Sequence, residues 1–406
     1  MTLFINYNND KNIYKWQMKY MNDKNIYKWQ MKYMNDKNIY KWQKKCYKDN
    51  EVILFMQKNS PFNISFGEKP NNLIDRNEEF QFITNVFDSE APETKIMMIT
   101  GARGVGKTVL LSSIKKYYDE KEDWIVADVN PNLDILEQLA SKIYETGKVK
   151  KLFVKTEFNF SFKGIGFSIK GDEPVSSIQT LMDKMLKYLK SKNIRVLVTI
   201  DDVFSNNEMK IFVHSYQSFI REGYSIYFLA SGLYENIEKL SSEKNLTFLS
   251  RAPKVYLTKL NLRAITLSYM NIFNINEDDA IRIAKQTNGY AYGYQLLGSI
   301  LFKSEKTVID KDVLKKYDLS LDDNSYSLIW NSFSLNEKKI LYAIVNTKGN
   351  VKDIIEFTKL TNSSIQVYKK QLVKKGIIDD STRGKLSFVL PRFKEFVEFQ
   401  YKMEIL

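Results

Sequence analysis

The sequence predicts an α/β fold. A parallel sheet flanked by helices comes first, then a helical lid and a C-terminal winged helix-turn-helix domain, all behind a repetitive N-terminal tail. Three observations carry this. The apolar run Met97-Met98-Ile99-Thr100 leads into Gly101-Ala102-Arg103-Gly104-Val105-Gly106-Lys107-Thr108, and Val109-Leu110-Leu111 then opens a helical pattern. A second apolar run, Arg195 to Ile200, ends in the paired carboxylates Asp201-Asp202. Residues 335–406 read as three helices and two short strands around a basic turn.

The first stretch has the spacing Gly-x-x-x-x-Gly-Lys-Thr between a strand and a helix, the context a phosphate-binding loop requires. Glycines let the backbone turn tightly and aim its N–H groups inward, and the following helix adds the partial positive charge of its N-terminus. Residues 101 to 109 are therefore the expected phosphate contacts of a P-loop NTPase sheet. Lys107 reaches the β- and γ-phosphates, and the Thr108 hydroxyl is a Mg²⁺ ligand.

The remaining core elements follow in order. Phe80, Ile83 and Phe87 recur at helical spacing before the first strand, Lys95 to Thr100. Trp124 to Asp128 is a second strand and Leu133 to Tyr144 a helix. Phe158 to Ile169 alternates, which predicts a hairpin, and Ser177 to Leu189 is helical. In doubly wound sheets ligands sit at the carboxyl ends of strands, so Asp201 is the expected metal-holding carboxylate and Asp202 the residue that polarises an attacking water. Glu208 to Arg221 is a helix, and Ser225 to Ser231 is a fourth strand. Ser231 either contacts the γ-phosphate or its water, or caps the next helix. Arg251 precedes a fifth strand, Lys254 to Leu257. It either faces a phosphate, in its own chain or a neighbouring subunit, or is a solvated arginine.

Residues 261–330 read as all-helical, broken at Asn288-Gly289-Tyr290-Ala291-Tyr292-Gly293-Tyr294, and form the lid. The domain bounds are then 1–57 for the tail, 58–260 for the core, 261–330 for the lid and 331–406 for the winged helix.

Composition narrows the class. Hydrophobic residues make up 44% of the 406 positions and charged residues 27%, which suits a globular rather than a disordered chain. Cys46 is the single cysteine, so no intrachain disulfide forms. With His214 the single histidine, His/Cys metal sites and Cys–His dyads are excluded. No run of eighteen apolar residues and no signal-peptide core is present, so the expectation is a cytoplasmic protein. The net charge of +13 is unevenly spread: +7 falls in residues 1–60 and +6 in 335–406, leaving a neutral middle. A polyanion meets the ends first.

Three 13-residue units occupy residues 9–47, two of them identical as NDKNIYKWQMKYM. Within a unit Ile13, Trp16 and Tyr20 fall on one face of a short helix. The tail is either a loosely ordered duplication or a basic, aromatic arm for nucleic acid or an anionic surface. At the other end, Lys369, Lys370, Lys374, Lys375, Arg383 and Lys385 are either DNA-phosphate contacts or a solvated helix face.

Together the segments PFNISFG, LIDRNEEF, GARGVGKT, VLVTIDD, LSRAPKVYL, NGYAYGYQLLG and the region through KLSFVLPRF resemble a family. They are similar to the P-loop ATPases of the AAA+ and STAND groupings, in particular the archaeal-type and initiator-like ATPases that end in a winged helix. The resemblance implies that ATP binds between core and lid, that Arg76 lies near the nucleotide, and that the chain self-associates when ATP is bound. Asp75 stands where relatives often have Gly, and Ala291 where many have Pro. Asp202 stands where many AAA+ members have Glu, and no arginine follows Ala291 as a second sensor. The expected function is thus an ATP- and Mg²⁺-dependent switch with slow hydrolysis and a DNA-binding winged helix. The alternatives are an ATP-gated signalling scaffold and an NTPase helper of replication or mobile-element machinery.

Overall fold

A computed structural model describes residues 60–65, 73–149, 177–244 and 246–405, and the backbone of short strands within 8–32 and 158–174. The chain divides into two compact units, residues 1–61 and 62–406. In the first unit the strands Lys15–Tyr20 and Tyr27–Lys32 pair antiparallel, with Trp16 opposite Met31 and Tyr20 opposite Tyr27. This corrects the helical reading of the repeat. The segment Trp16-Gln17-Met18-Lys19-Tyr20 also alternates apolar and polar residues, and the two-residue period is the one the backbone follows.

In the second unit five parallel strands form one sheet. They are β1 (Ile96–Thr100), β2 (Trp124–Asp128), β3 (Arg195–Ile200), β4 (Ile226–Gly232) and β5 (Lys254–Tyr256), in the order β5-β1-β4-β3-β2. β4 is buried along its whole length, as its unbroken apolar run requires of a strand covered on both faces. Its register, Phe228 opposite Ile96 and Val196 opposite Ile226, brings the ends of β1 and β3 to one edge of the sheet.

Helices α1 (Asn77–Asp88) and α2 (Lys107–Asp119) pack on one face of the sheet. Helices α3 (Ile135–Glu145), α4 (Ile178–Ser191), α5 (Asn207–Arg221) and α6 (Tyr234–Ser241) pack on the other. Asp134, Ser177 and Asn206 cap α3, α4 and α5, each side chain accepting a backbone N–H three residues on. Such a cap contributes about 1 kcal/mol. The expected hairpin is present in the backbone: Phe158–Phe162 pairs antiparallel with Phe167–Ile169.

The stretch expected to form a lid comprises α7 (Leu262–Phe273), α8 (Glu277–Thr287), α9 (Ala291–Lys303) and α10 (Lys311–Leu321). A π turn, Asp322–Tyr326, runs from α10 into the short α11 (Ser327–Asn331). The C-terminal part has α12 (Leu335–Asn346), α13 (Val351–Thr358) and α14 (Asn362–Lys374), then the paired strands β6 (Ile378–Asp379) and β7 (Ser387–Phe388). These are the three helices and two strands the sequence predicts. A further helix, α15 (Phe393–Ile405), follows and was not expected. Its Phe393, Phe396 and Val397 are buried at i, i+3 and i+4, a pattern hidden by its many charged neighbours. The apolar cluster on the α2 face of the sheet continues through Tyr269 and Tyr294 of the lid to Ile344, Leu372 and Phe396. Lid and C-terminal part therefore share one core with the sheet.

Candidate functional site

A cavity of about 1100 Å³ opens at the carboxyl end of the sheet. The loop between β1 and α2 lines it, and the loop's conformation follows from its glycines. Gly104 and Gly106 have φ of +76° and +99°. A Cβ on Gly104 would lie 2.2 Å from Tyr290 Oη, and one on Gly101 would lie 2.8 Å from the Leu257 carbonyl. Neither position admits a side chain.

The loop's carbonyls are all engaged, by three different elements. Lys107 Nζ donates to the carbonyls of Gly101 and Ala102, at 3.1 and 3.0 Å. Tyr290 Oη donates to Arg103 O at 2.9 Å. The Tyr292 N–H donates to Gly104 O at 2.9 Å. Arg76 Nη2 donates to Val105 O at 2.8 Å, and also to Thr258 O at 2.7 Å. With its carbonyl oxygens engaged by these donors, the loop has the make-up of a backbone nest, in which N–H groups meet an anion.

Lys107 is buried at the start of α2. Loss of solvent pushes its ammonium down to about 8, an effect that Asp202 and Asp201 partly offset. Thr108 Oγ1 donates to Asp201 Oδ2 at 2.7 Å, and the buried Ser231 donates to Asp201 Oδ1. Asp202 sits in the left-handed region at φ +52°, and its N–H donates to Asp201 Oδ1 at 3.1 Å. Its carboxyl is raised, first by partial desolvation and then by the Asp201 carboxylate. Thr108 and Asp201 offer a hydroxyl and a carboxylate side by side, hard oxygen donors of the kind Mg²⁺ takes. Among the described residues no group of three His, Cys, Asp or Glu side chains is placed to hold a metal.

The structure brings most of the predicted residues together. Arg103 to Val109, Arg76, Asp201 and Asp202 line the cavity. Ser231 lies beneath it and holds Asp201; the cap position of α6 belongs to Leu233. Arg251 is exposed on the 3-10 turn Thr247–Arg251 and does not line the cavity. In the C-terminal part, Lys374 Nζ donates to Tyr234 Oη at 2.9 Å, and Lys375 pairs with the buried Glu337 at 2.8 Å. Lys369 pairs with Asp380 at 2.8 Å, while Lys370, Arg383 and Lys385 are exposed. The six basic residues thus do not form one free face, because the end of α14 turns toward the core.

Sequence reasoning missed several lining residues. Tyr292, Tyr294 and Gln295 of α9 close the cavity from the lid side, and Asn63 N–H donates to Gln295 Oε1 at 3.0 Å. Asp128 and Asn130 line it at the end of β2. The rule that ligands meet the carboxyl ends of strands pointed to β2 as well as β3.

Residues 73–252 match the model of an ATPase domain found predominantly in Archaea. Residues 323–397 match that of a domain of unknown function, DUF8462. No curated protein matches the chain. Among solved structures, the chain is similar to a Walker-type ATPase of Pyrococcus abyssi, with TM-score 0.55 and 14% identity, covering 81% of this chain and 97% of that one. It is also similar to the ORC2 protein of Aeropyrum pernix in its ADPNP–ADP complexes, with TM-score 0.52 and 15% identity over 84% and 98% of the two chains. At such identities the likeness establishes the fold, and the domain model establishes the type of core. Residues 73–252 thus match that archaeal-type ATPase domain model, with the P-loop inside the match, and the chain shares its fold with these two solved structures.

Proposed function

We propose that the chain binds ATP with Mg²⁺, hydrolyses it slowly, and uses the bound state as a switch for a C-terminal winged helix that contacts DNA. The observation that carries the reading is the convergence of Lys107, Thr108, Asp201 and Asp202 on one cavity, beside a loop whose carbonyls are already engaged by Lys107, Tyr290, Tyr292 and Arg76. The nest N–H groups and the Lys107 ammonium bind the phosphates. Thr108 and Asp201 would hold Mg²⁺, which when bound neutralises charge between the β- and γ-phosphates. Ser231 keeps the Asp201 carboxylate oriented. Asp202 orients a water, and its short side chain favours slow turnover. Ile74, Tyr294 and Gln295, which also line the cavity, are the residues that would contact the base.

Titration calorimetry with a non-hydrolysable ATP analogue and Mg²⁺ tests the site. Binding by the parent, weakened about ten- to a hundredfold in Lys107→Ala, is the expected outcome; equal binding by both refutes the assignment. For the DNA contact, a mobility-shift assay across a salt series should show affinity falling steeply with salt, because Lys370, Arg383 and Lys385 would displace counterions. A flat series removes DNA as the partner. The internal engagement of Lys374 and Lys375 favours a second reading, an ATP-gated scaffold whose winged helix binds protein. Oligomer formation on ATP addition, without a DNA shift, selects it.

A further inference from the structure

Helices α10 and α11 form one run interrupted by the π turn Asp322–Tyr326. A π turn holds one residue more than α geometry accommodates, is rare, and occurs frequently at functional sites. Ser325 within it is buried, and its hydroxyl lies 2.8 Å from Tyr290 Oη. Tyr290 spends its single proton on the Arg103 carbonyl, so Ser325 is the donor in that pair. One phenol oxygen therefore joins the phosphate loop to the π turn. The contact is close: a Cβ on Gly104 would meet that oxygen at 2.2 Å, so Tyr290 packs directly on the glycine of the loop. On the other side of the turn, Tyr326 Oη donates to the Pro391 carbonyl at 2.5 Å, at the entry to α15. The buried Tyr317 hydroxyl of α10 has no hydrogen-bond partner among the described residues and lies beside Gly293 of α9.

We propose that Tyr290 couples the state of the phosphate loop to the π turn, and through it to the placement of the C-terminal module. The proposal rests on the nucleotide reading of the loop given above. Phosphate in the nest draws Lys107 from the carbonyls of Gly101 and Ala102 and reorients the loop peptides. The Arg103 carbonyl then moves relative to Tyr290, and Ser325 is released. Return of the turn to α geometry removes one residue from it and rotates the following helix by about 100°.

The test is hydrogen exchange of the full chain over residues 318–331, with and without a non-hydrolysable ATP analogue and Mg²⁺, alongside calorimetry on the same samples. The parent should bind the analogue and change its exchange in 318–331. Ser325→Ala, which lies outside the cavity, should bind within about threefold of the parent yet lose that change. Tyr290→Phe should lose it too, with weaker binding. Binding by the parent without a change in 318–331 overturns the coupling, as does a parent-like change in both variants. Absence of binding by the parent overturns the nucleotide reading as well, and calorimetry distinguishes the two failures.

Discussion

Lys107 is held between two demands. Burial favours its neutral form, while the nearby Asp201 and Asp202 favour the ammonium, and burial dominates, leaving the group at about 8. The sign for stability follows. A lysine lowered below its unfolded value opposes folding while charged, so its unfavourable contribution disappears as pH rises through about 8 toward the unfolded value. Phosphate binding requires the ammonium, so affinity runs the other way. ATP affinity is expected to weaken by up to about tenfold per pH unit above pH 8, measured by calorimetry at constant ionic strength. Lys107→Ala should cost about ten- to a hundredfold in ATP affinity, the worth of a charge-assisted phosphate contact, and should abolish the alkaline dependence.

At the scale of the element, the phosphate loop is shaped as much by its neighbours as by its own glycines. Gly104→Ala places a methyl group against Tyr290 and forces a left-handed residue, so it should destabilise the fold by about 2 kcal/mol or more, read as a lower denaturation midpoint. The π turn supplies a second prediction. Asp322 is pushed up to about 6 by burial, then by Asp318 and Asp323, with Arg392 opposing. A carboxyl raised in the folded state contributes stability at low pH that is lost as pH rises through about 6. Asp322→Asn should therefore raise stability at pH 7 by about 1 kcal/mol after allowance for its partial exposure, and flatten the profile between pH 4 and 6. Thermal denaturation of parent and variant across that range checks both.

At the scale of the whole molecule, one apolar cluster joins sheet, lid and C-terminal part, and the end of α14 is seated on the core. Gly376 lies against Ala102 of the phosphate loop, so the module touches the loop directly. Lys374 reaches Tyr234 both as a hydrogen bond at 2.9 Å and as a cation over the ring at 5.0 Å. Tyr234→Ala should loosen this seat by about 1 kcal/mol and expose residues 369–376 to faster hydrogen exchange. Among the described residues no helix is long and apolar enough to cross a membrane.

The sequence by itself determined the local chemistry. Gly-x-x-x-x-Gly-Lys-Thr can make its nest only between a strand and a helix, and the run Arg195 to Ile200 can bury itself only as an inner strand ending in carboxylates. The hairpin at 158–169 and the three helices with two strands near the C-terminus were legible from period and turn residues. Tertiary structure decided what meets what. Spacing along the chain does not reveal that Tyr290 reaches the carbonyl of Arg103, that Ser231 holds Asp201 rather than capping a helix, or that Lys374 and Lys375 face inward. These contacts join residues from 30 to nearly 190 positions apart. They follow from the strand order and the shared core, because a side chain's role is set by what packs around it, and the linear pattern records only its own half of each pair.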